Sequence, residues 1–187
     1  MKIGIILGSI RDNRAGASVA QWVLQNAPQS SEVSYELVDV KDFELAPLHA
    51  ATPPAATNGN YSDPRVQAWG DKIGEFDGFV FVTAEYNHAI PGVFKNAVDS
   101  IGVEWMHKPV AFVSYGANGG IRAVENWRTV LANFNVYDLR DNVDLNLFTD
   151  FGDQGFVPAD RHTEPLTQLF SHLEQVARIM QPLRAQN

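Results

Sequence analysis

Two hydrophobic periods alternate along this chain. Residues Lys2–Leu7, 78–83 and 109–114 are short, almost continuous apolar runs, the pattern of strands buried on both faces of a parallel sheet. Weaker runs at 32–40 and 136–147 predict two more strands. Between the strands apolar residues recur at helical spacing. They are Val19, Trp22 and Val23, then Val66, Trp69, Ile73 and Phe76 behind the start signal Asp63-Pro64. Phe94, Ala97, Val98 and Ile101 follow Pro91, and Ile121, Val124, Trp127, Leu131 and Phe134 form a fourth stripe. Leu166, Leu169, Phe170, Leu173, Val176 and Met180 form the last. Residues 41–63 have no period, and Pro47, Pro53, Pro54 and Asn58-Gly59 predict a long loop. Compact domains keep loops of that length for functional or mobile segments.

Five strands alternating with five helices imply right-handed crossovers and a parallel sheet covered on both faces, an α/β three-layer sandwich. For five strands the flavodoxin-like order 2-1-3-4-5 is the natural arrangement, with a ligand crevice outside the carboxyl ends of strands 1 and 3. The chain has 187 residues, no repeat and no composition break, so residues 1–187 are expected to form a single domain. Its Gly-, Ser- and Asn-rich segments all follow strands and therefore gather on one sheet edge, where function is expected.

Composition narrows the chemistry. With 45% apolar and 19% charged residues the chain is neither disordered nor fibrous. A formal charge of −8 repels polyanions, so nucleic-acid binding is not expected. The absence of cysteine excludes disulfides, thiol catalysis and thiolate metal sites. The run from Ile3 to Leu7 is too short for the apolar core of a signal peptide, and no run reaches the roughly 20 residues of a membrane span. A soluble, cytoplasmic protein without membrane contact is expected. The five histidines show no ligand spacing, and Asp141, Asp144, Asp150, Asp153 and Asp160 read as a solvated face, so no metal site is expected. Lys95 and Asp99, four apart, read as a solvated ion pair. Gly8-Ser9 stands where a phosphoacceptor domain carries acids, and neither Ser9 nor Ser114 has the Gly-x-Ser-x-Gly setting of a hydrolase nucleophile.

Three loops carry the candidate chemistry. In the first, Gly8 permits a tight turn, Ser9 offers a hydroxyl, and Gly16 opens the next helix, while Arg11 and Arg14 add charged donors. Converging N–H groups at a helix start with two arginines suit a phosphate monoester; a plain turn with two solvated arginines is the other reading. The loop has neither the Gly-Lys-Ser/Thr ending of an ATP loop nor Gly-x-Gly-x-x-Gly. In the second loop, Ala84, Glu85, Tyr86 and Asn87 can present backbone groups and an aromatic surface to a planar heterocycle, and His88 reads as loop filler or a substrate contact. In the third, Ser114, Tyr115, Gly116 and Gly119 allow either a flexible turn or close approach to a flat ligand.

Together the loops resemble a known family. Gly-Ser-Ile-Arg-x-x-Arg after the first strand, Glu-Tyr-Asn-x-x-x-Pro-Gly-x-x-Lys-Asn-Ala-x-Asp after the third and Tyr-Gly-x-x-Gly-Gly after the fourth are similar to the NADPH-dependent FMN reductases. That family has a flavodoxin-like fold and includes quinone and azo-dye reductases. The resemblance implies FMN as cofactor and NADPH or NADH as hydride donor. Ser9, Arg11, Arg14, Ala15 and Gly16 would hold the phosphate. Ala84, Glu85, Tyr86 and Asn87 would border the ribityl chain and ring, with Ser114, Tyr115, Gly116 and Gly119 on the other side. It further implies ping-pong electron transfer to free flavin, a quinone or a similar small-molecule acceptor, with no obligatory catalytic side chain, in a homodimer or homotetramer. Trp105 and Trp127 are candidate interface anchors, with core packing the other reading for Trp127. A non-enzymatic electron carrier or redox-sensing flavoprotein is the alternative that the acidic charge suits.

Overall fold

The structure, a computed structural model, describes residues 1–153 and 155–184. Its strands are β1 (Lys2–Leu7), β2 (Ser34–Asp39), β3 (Gly78–Ala84), β4 (Pro109–Gly116) and β5 (Tyr137–Asn146). They pair in parallel in the order β2-β1-β3-β4-β5, as the alternation of elements predicts. Between and after them run α1 (Ala15–Gln25), α2 (Pro64–Gly74), α3 (Gly92–Asp99), α4 (Ile121–Leu131) and α5 (Thr163–Arg184). Every residue of β3 and β4 is buried, which is why those runs lack polar alternation.

The sheet separates two cores. α1 and α5 cover one face through Val19, Val23, Leu169 and Leu173, and α2, α3 and α4 cover the other through Ile73, Phe94, Val98 and Leu131. The second core is strongly aromatic. Trp69, Trp105 and Trp127 are fully buried there, and each indole N–H has an acceptor: the carbonyls of Ala97 and Val98 and the hydroxyl of Thr83, at 2.8, 3.1 and 3.1 Å. Trp105 and Trp127 are therefore core residues and not interface anchors within this chain's surface. A buried indole with a satisfied donor has no reason to face a partner.

Three local features depart from the sequence pattern. β2 and β5 are each shorter than their apolar runs. Residues Phe151–Gly152 (β6) and Gly155–Phe156 (β7) form a small antiparallel hairpin with no sequence warning, because two-residue strands are too short to show a period. Phe151 and Phe156 pack 5.2 Å apart between centroids, and Phe156 meets Trp22 of α1 at 5.4 Å. Asp150 does not lie on a solvated face: it is 1% exposed, and its carboxylate accepts from the Asn146 N–H, the Thr149 hydroxyl, Arg161 and His162. Lys95 and Asp99 do form a half-exposed pair, at 2.6 Å. The long loop carries short helical turns at Val40–Phe43 and Pro54–Ala56 and walls a cavity of about 450 Å³ beside Val66 and Ser100. Among the described residues no helix is long and apolar enough to cross a membrane, and no cluster of ligating side chains fits a metal ion.

Candidate functional site

β1, β3 and β4 end side by side at Leu7, Ala84 and Gly116, so the loops that follow them share one edge. The first loop leaves β1 through Gly8, whose N–H still reaches the Val82 carbonyl at 3.2 Å. It then turns through Asn13, at φ +50°, into α1. No side chain caps this helix and no acid lies in its first turn. Among the described residues, the backbone N–H groups of residues 10–16 find no acceptor. Free donors around a helix start, with the helix dipole behind them, are the donor set that an anion such as a phosphate monoester needs.

The two arginines of this loop have different positions. Arg14 is half-buried and grips both carboxylate oxygens of Asp39 at the end of β2 while donating to the Ser9 carbonyl. It braces the loop from below. Arg11 is exposed, makes no ion pair among the described residues, and lies with its guanidinium carbon 5.8 Å from the centre of the Tyr86 ring. Arg11 is thus the arginine with donors to spare. Ser9 is buried, its hydroxyl 3.0 Å from the Tyr86 hydroxyl, which ties the first loop to the second. Ala15 and Gly16 form the first turn of α1.

Ala84 closes β3, and Glu85 donates its N–H to the Tyr115 carbonyl at 3.0 Å. Tyr86 and Ala89 exchange two backbone hydrogen bonds of 3.0 Å around Asn87 and His88, both at positive φ. That is the tight turn that matches strand twist, and it holds Asn87 and His88 out in solvent. The Glu85 side chain is only 7% exposed and turns sideways. It accepts from the Arg122 N–H at 3.0 Å and the Arg122 guanidinium at 2.9 Å, capping α4. It therefore buttresses the third loop. Glu85→Ala is expected to lower unfolding free energy by about 2 kcal/mol and to weaken cofactor affinity through the displaced loop, as urea titration and flavin fluorescence would show.

In the third loop the fully buried Ser114 hydroxyl donates to the Gly119 carbonyl at 2.6 Å, so it holds the loop's shape from within. Gly119 and Gly120 adopt φ of +73° and +79°, and a methyl on Gly120 would stand 2.9 Å from the Tyr115 nitrogen. The Tyr115 ring lies in the α1 core, where a methyl on Gly16 would come within 2.4 Å of its hydroxyl oxygen. Its hydroxyl therefore lies against the first turn of α1. Burial pushes its pKa up to about 12, so at neutral pH it is a proton donor. A methyl on Gly116 would stand 3.1 Å from the Gly120 nitrogen and one on Gly119 2.7 Å from Asp144 Cβ, so the turn closes too tightly for a side chain at either position. Sequence reasoning missed Asp39 and Arg122, the partners that fix Arg14 and Glu85. Their only signal is position, at the end of a strand and the start of a helix on the same edge.

The three loops and all five strands of the large sheet fall within one known pattern: residues 1–150 match the family described as NADPH-dependent FMN reductase. The chain belongs to that family. An NAD(P)H-dependent FMN reductase of Schizosaccharomyces pombe is 40% identical over 119 residues, 64% of this chain and 60% of that protein. One from Nectria sp is 40% identical over 129 residues, 65% of this chain and 63% of that protein. The matched stretch thus spans somewhat less than two thirds of either fungal relative. A 2-hydroxy-1,4-benzoquinone reductase from Burkholderia sp is 31% identical over 144 residues, 73% of each chain. Among solved structures, the flavoenzyme NAD(P)H:(acceptor) oxidoreductase FerB of Paracoccus denitrificans superposes with a TM-score of 0.69 at 16% identity, covering 97% of both chains. That likeness shows the fold of this FMN reductase family member, with the sheet order already described.

Proposed function

We propose that this chain is an FMN-dependent oxidoreductase that takes hydride from NAD(P)H and delivers electrons to a small acceptor such as a quinone or free flavin. The observation that carries this reading is the cradle at the start of α1: a run of N–H groups without acceptors, no acid in the first helical turn, the loop's one acid Asp12 turned to Lys41, and an Arg11 guanidinium with no ion pair among the described residues. It is built for a doubly charged phosphate. The family match and the relatives named as FMN and quinone reductases support the chemistry.

Bound FMN supplies a centre that accepts hydride directly, so no side chain has to act as nucleophile or base. The protein's tasks are positional. The N–H groups of residues 10–16 and Arg11 hold the phosphate, with the Ser9, Tyr86 and Tyr115 hydroxyls gathered beside them. Tyr86 and Asn87 would border the ribityl end, and the backbone around Gly116 and Gly119 would approach the ring, with backbone N–H groups of the second and third loops as the stabilisers of the negative charge that reduction would place there. Arg14 and Glu85 keep the loops in place. The overall reaction with a quinone, NAD(P)H + H⁺ + quinone → NAD(P)⁺ + hydroquinone, divides into two half-reactions at one mouth, which gives ping-pong kinetics. The whole chain works as one flavin-binding unit in the cytoplasm, a compartment that the cysteine-free sequence suits. We place it in a homodimer or homotetramer, since Ile10, Val93 and Ile121 expose apolar surface around the same edge.

The charge of −8 favours one other reading, an acidic electron carrier that docks on basic partners. Purified protein reconstituted with FMN is expected to show a flavin spectrum that bleaches on anaerobic addition of NADPH or NADH, and to consume nicotinamide continuously when a quinone is present. A carrier would bind flavin and turn over negligible nicotinamide. A protein that takes up no flavin would overturn both.

A further inference from the structure

The turn that follows β5 is fastened to the third loop more firmly than its exposure suggests. Leu147 donates its N–H to the Gly116 carbonyl at 3.0 Å, and the Asn146 side chain donates to the Ala117 carbonyl at 2.9 Å. Within the turn, the Phe148 N–H goes to the Asn146 side-chain oxygen at 2.8 Å, and the Thr149 and Asp150 N–H groups go to the Asn146 carbonyl at 3.2 and 2.9 Å. The buried Asp150 carboxylate takes the Asn146 N–H at 2.8 Å, forms an ion pair with Arg161 and meets the His162 ring nitrogen at 2.9 Å. Every N–H from Asn146 to Asp150 is thus committed.

On this fixed turn stands Phe148, 79% exposed. Ile179, the next most exposed of the large apolar side chains among the described residues at 67%, lies on α5, whose long-range side-chain hydrogen bonds go to Tyr35, Asp77, His107 and Asp141 and not to the three loops. A phenyl ring held out in water on a turn with no conformational slack is pre-organised for a flat partner, because stacking against it orders nothing further.

We propose, resting on the flavin reading above, that Phe148 is a specificity-determining residue of the oxidative half-reaction, the shelf on which the ring of a planar, uncharged quinone acceptor lies. The turn sits at the head of the loop that borders the flavin ring in that reading. The exposed carboxylate beside Gly119, Asp144, gives no welcome to an anion. A second copy of the chain covering Phe148 is the competing occupant. The neutral planar acceptor is preferred because the anchoring bonds run to Gly116 and Ala117, and not to any outward-facing helix.

The test compares wild type with Phe148→Ala and Phe148→Tyr, all titrated with FMN and assayed with NADPH against 1,4-benzoquinone and against ferricyanide, which has no ring to stack. In Phe148→Ala the ratio of kcat/KM for benzoquinone to that for ferricyanide is expected to fall about tenfold, carried by KM. Phe148→Tyr, which keeps the ring, is expected to stay within about twofold of wild type. An unchanged ratio in a Phe148→Ala protein that binds FMN overturns the shelf and leaves the flavin reading intact. So does an unchanged ratio accompanied by a shift to monomer on gel filtration, which reassigns the ring to an interface. Wild type that takes up no FMN removes the flavin reading, and the shelf with it.

Discussion

Gly8→Ala is expected to destabilise the protein by about 3 kcal/mol and to abolish flavin uptake in whatever fraction stays folded. The added methyl carbon would lie 1.9 Å from Phe94 Cδ1 and 2.4 Å from Phe94 Cγ, so it collides with the body of the ring. The ring has nowhere to go. Phe94 is fully buried, with Phe81 and Trp127 each 4.8 Å away between centroids. The backbone of Gly8 is equally fixed by its bond to the Val82 carbonyl. Relief comes only by lifting the first loop off the sheet, which scatters the N–H groups that form the cradle. Urea unfolding at neutral pH is the measurement, and a loss below about 1 kcal/mol would show that Phe94 does not pack over the loop as described.

Arg11→Ala should have the opposite profile. Arg11 is exposed and has no ion pair among the described residues, so unfolding free energy is expected to move by less than about 0.5 kcal/mol. Its guanidinium is nonetheless the free cation beside the cradle, and losing a charged donor to a phosphate weakens FMN binding by about ten- to hundredfold. The loss should shrink as salt is raised, because the site is open to solvent. Arg14→Ala makes the informative contrast: it breaks the bidentate grip on Asp39 and the bond to the Ser9 carbonyl, so stability and affinity fall together. If Arg11→Ala and Arg14→Ala behave alike in both measurements, the division of labour between them is wrong.

Arg11 and Arg14 also show where sequence reasoning stops. Three residues apart in one loop, they look equivalent, and both were expected on the phosphate. The chain's path gives one of them a carboxylate from β2, whose position beside β1 is a matter of sheet order. Glu85 and Tyr115 follow the same logic. Their place in the right loops was legible from the motifs, but Glu85 turns to α4 and Tyr115 turns under α1, because each side chain follows the face of the sheet from which its strand delivers it.

By itself the sequence determined the sandwich, the sheet order and the edge on which the three motif-bearing loops gather. Those depend on local periodicity and on the handedness of crossovers, which any stretch of the chain expresses without its distant neighbours. The motifs also determined the family. Only the tertiary structure decided that Trp105 and Trp127 are core, that Asp150 is a buried knot, and which residues at the mouth hold the loops and which face outward. Each of those depends on a partner distant along the chain that folding brings within hydrogen-bond reach, and period and spacing do not encode such pairings.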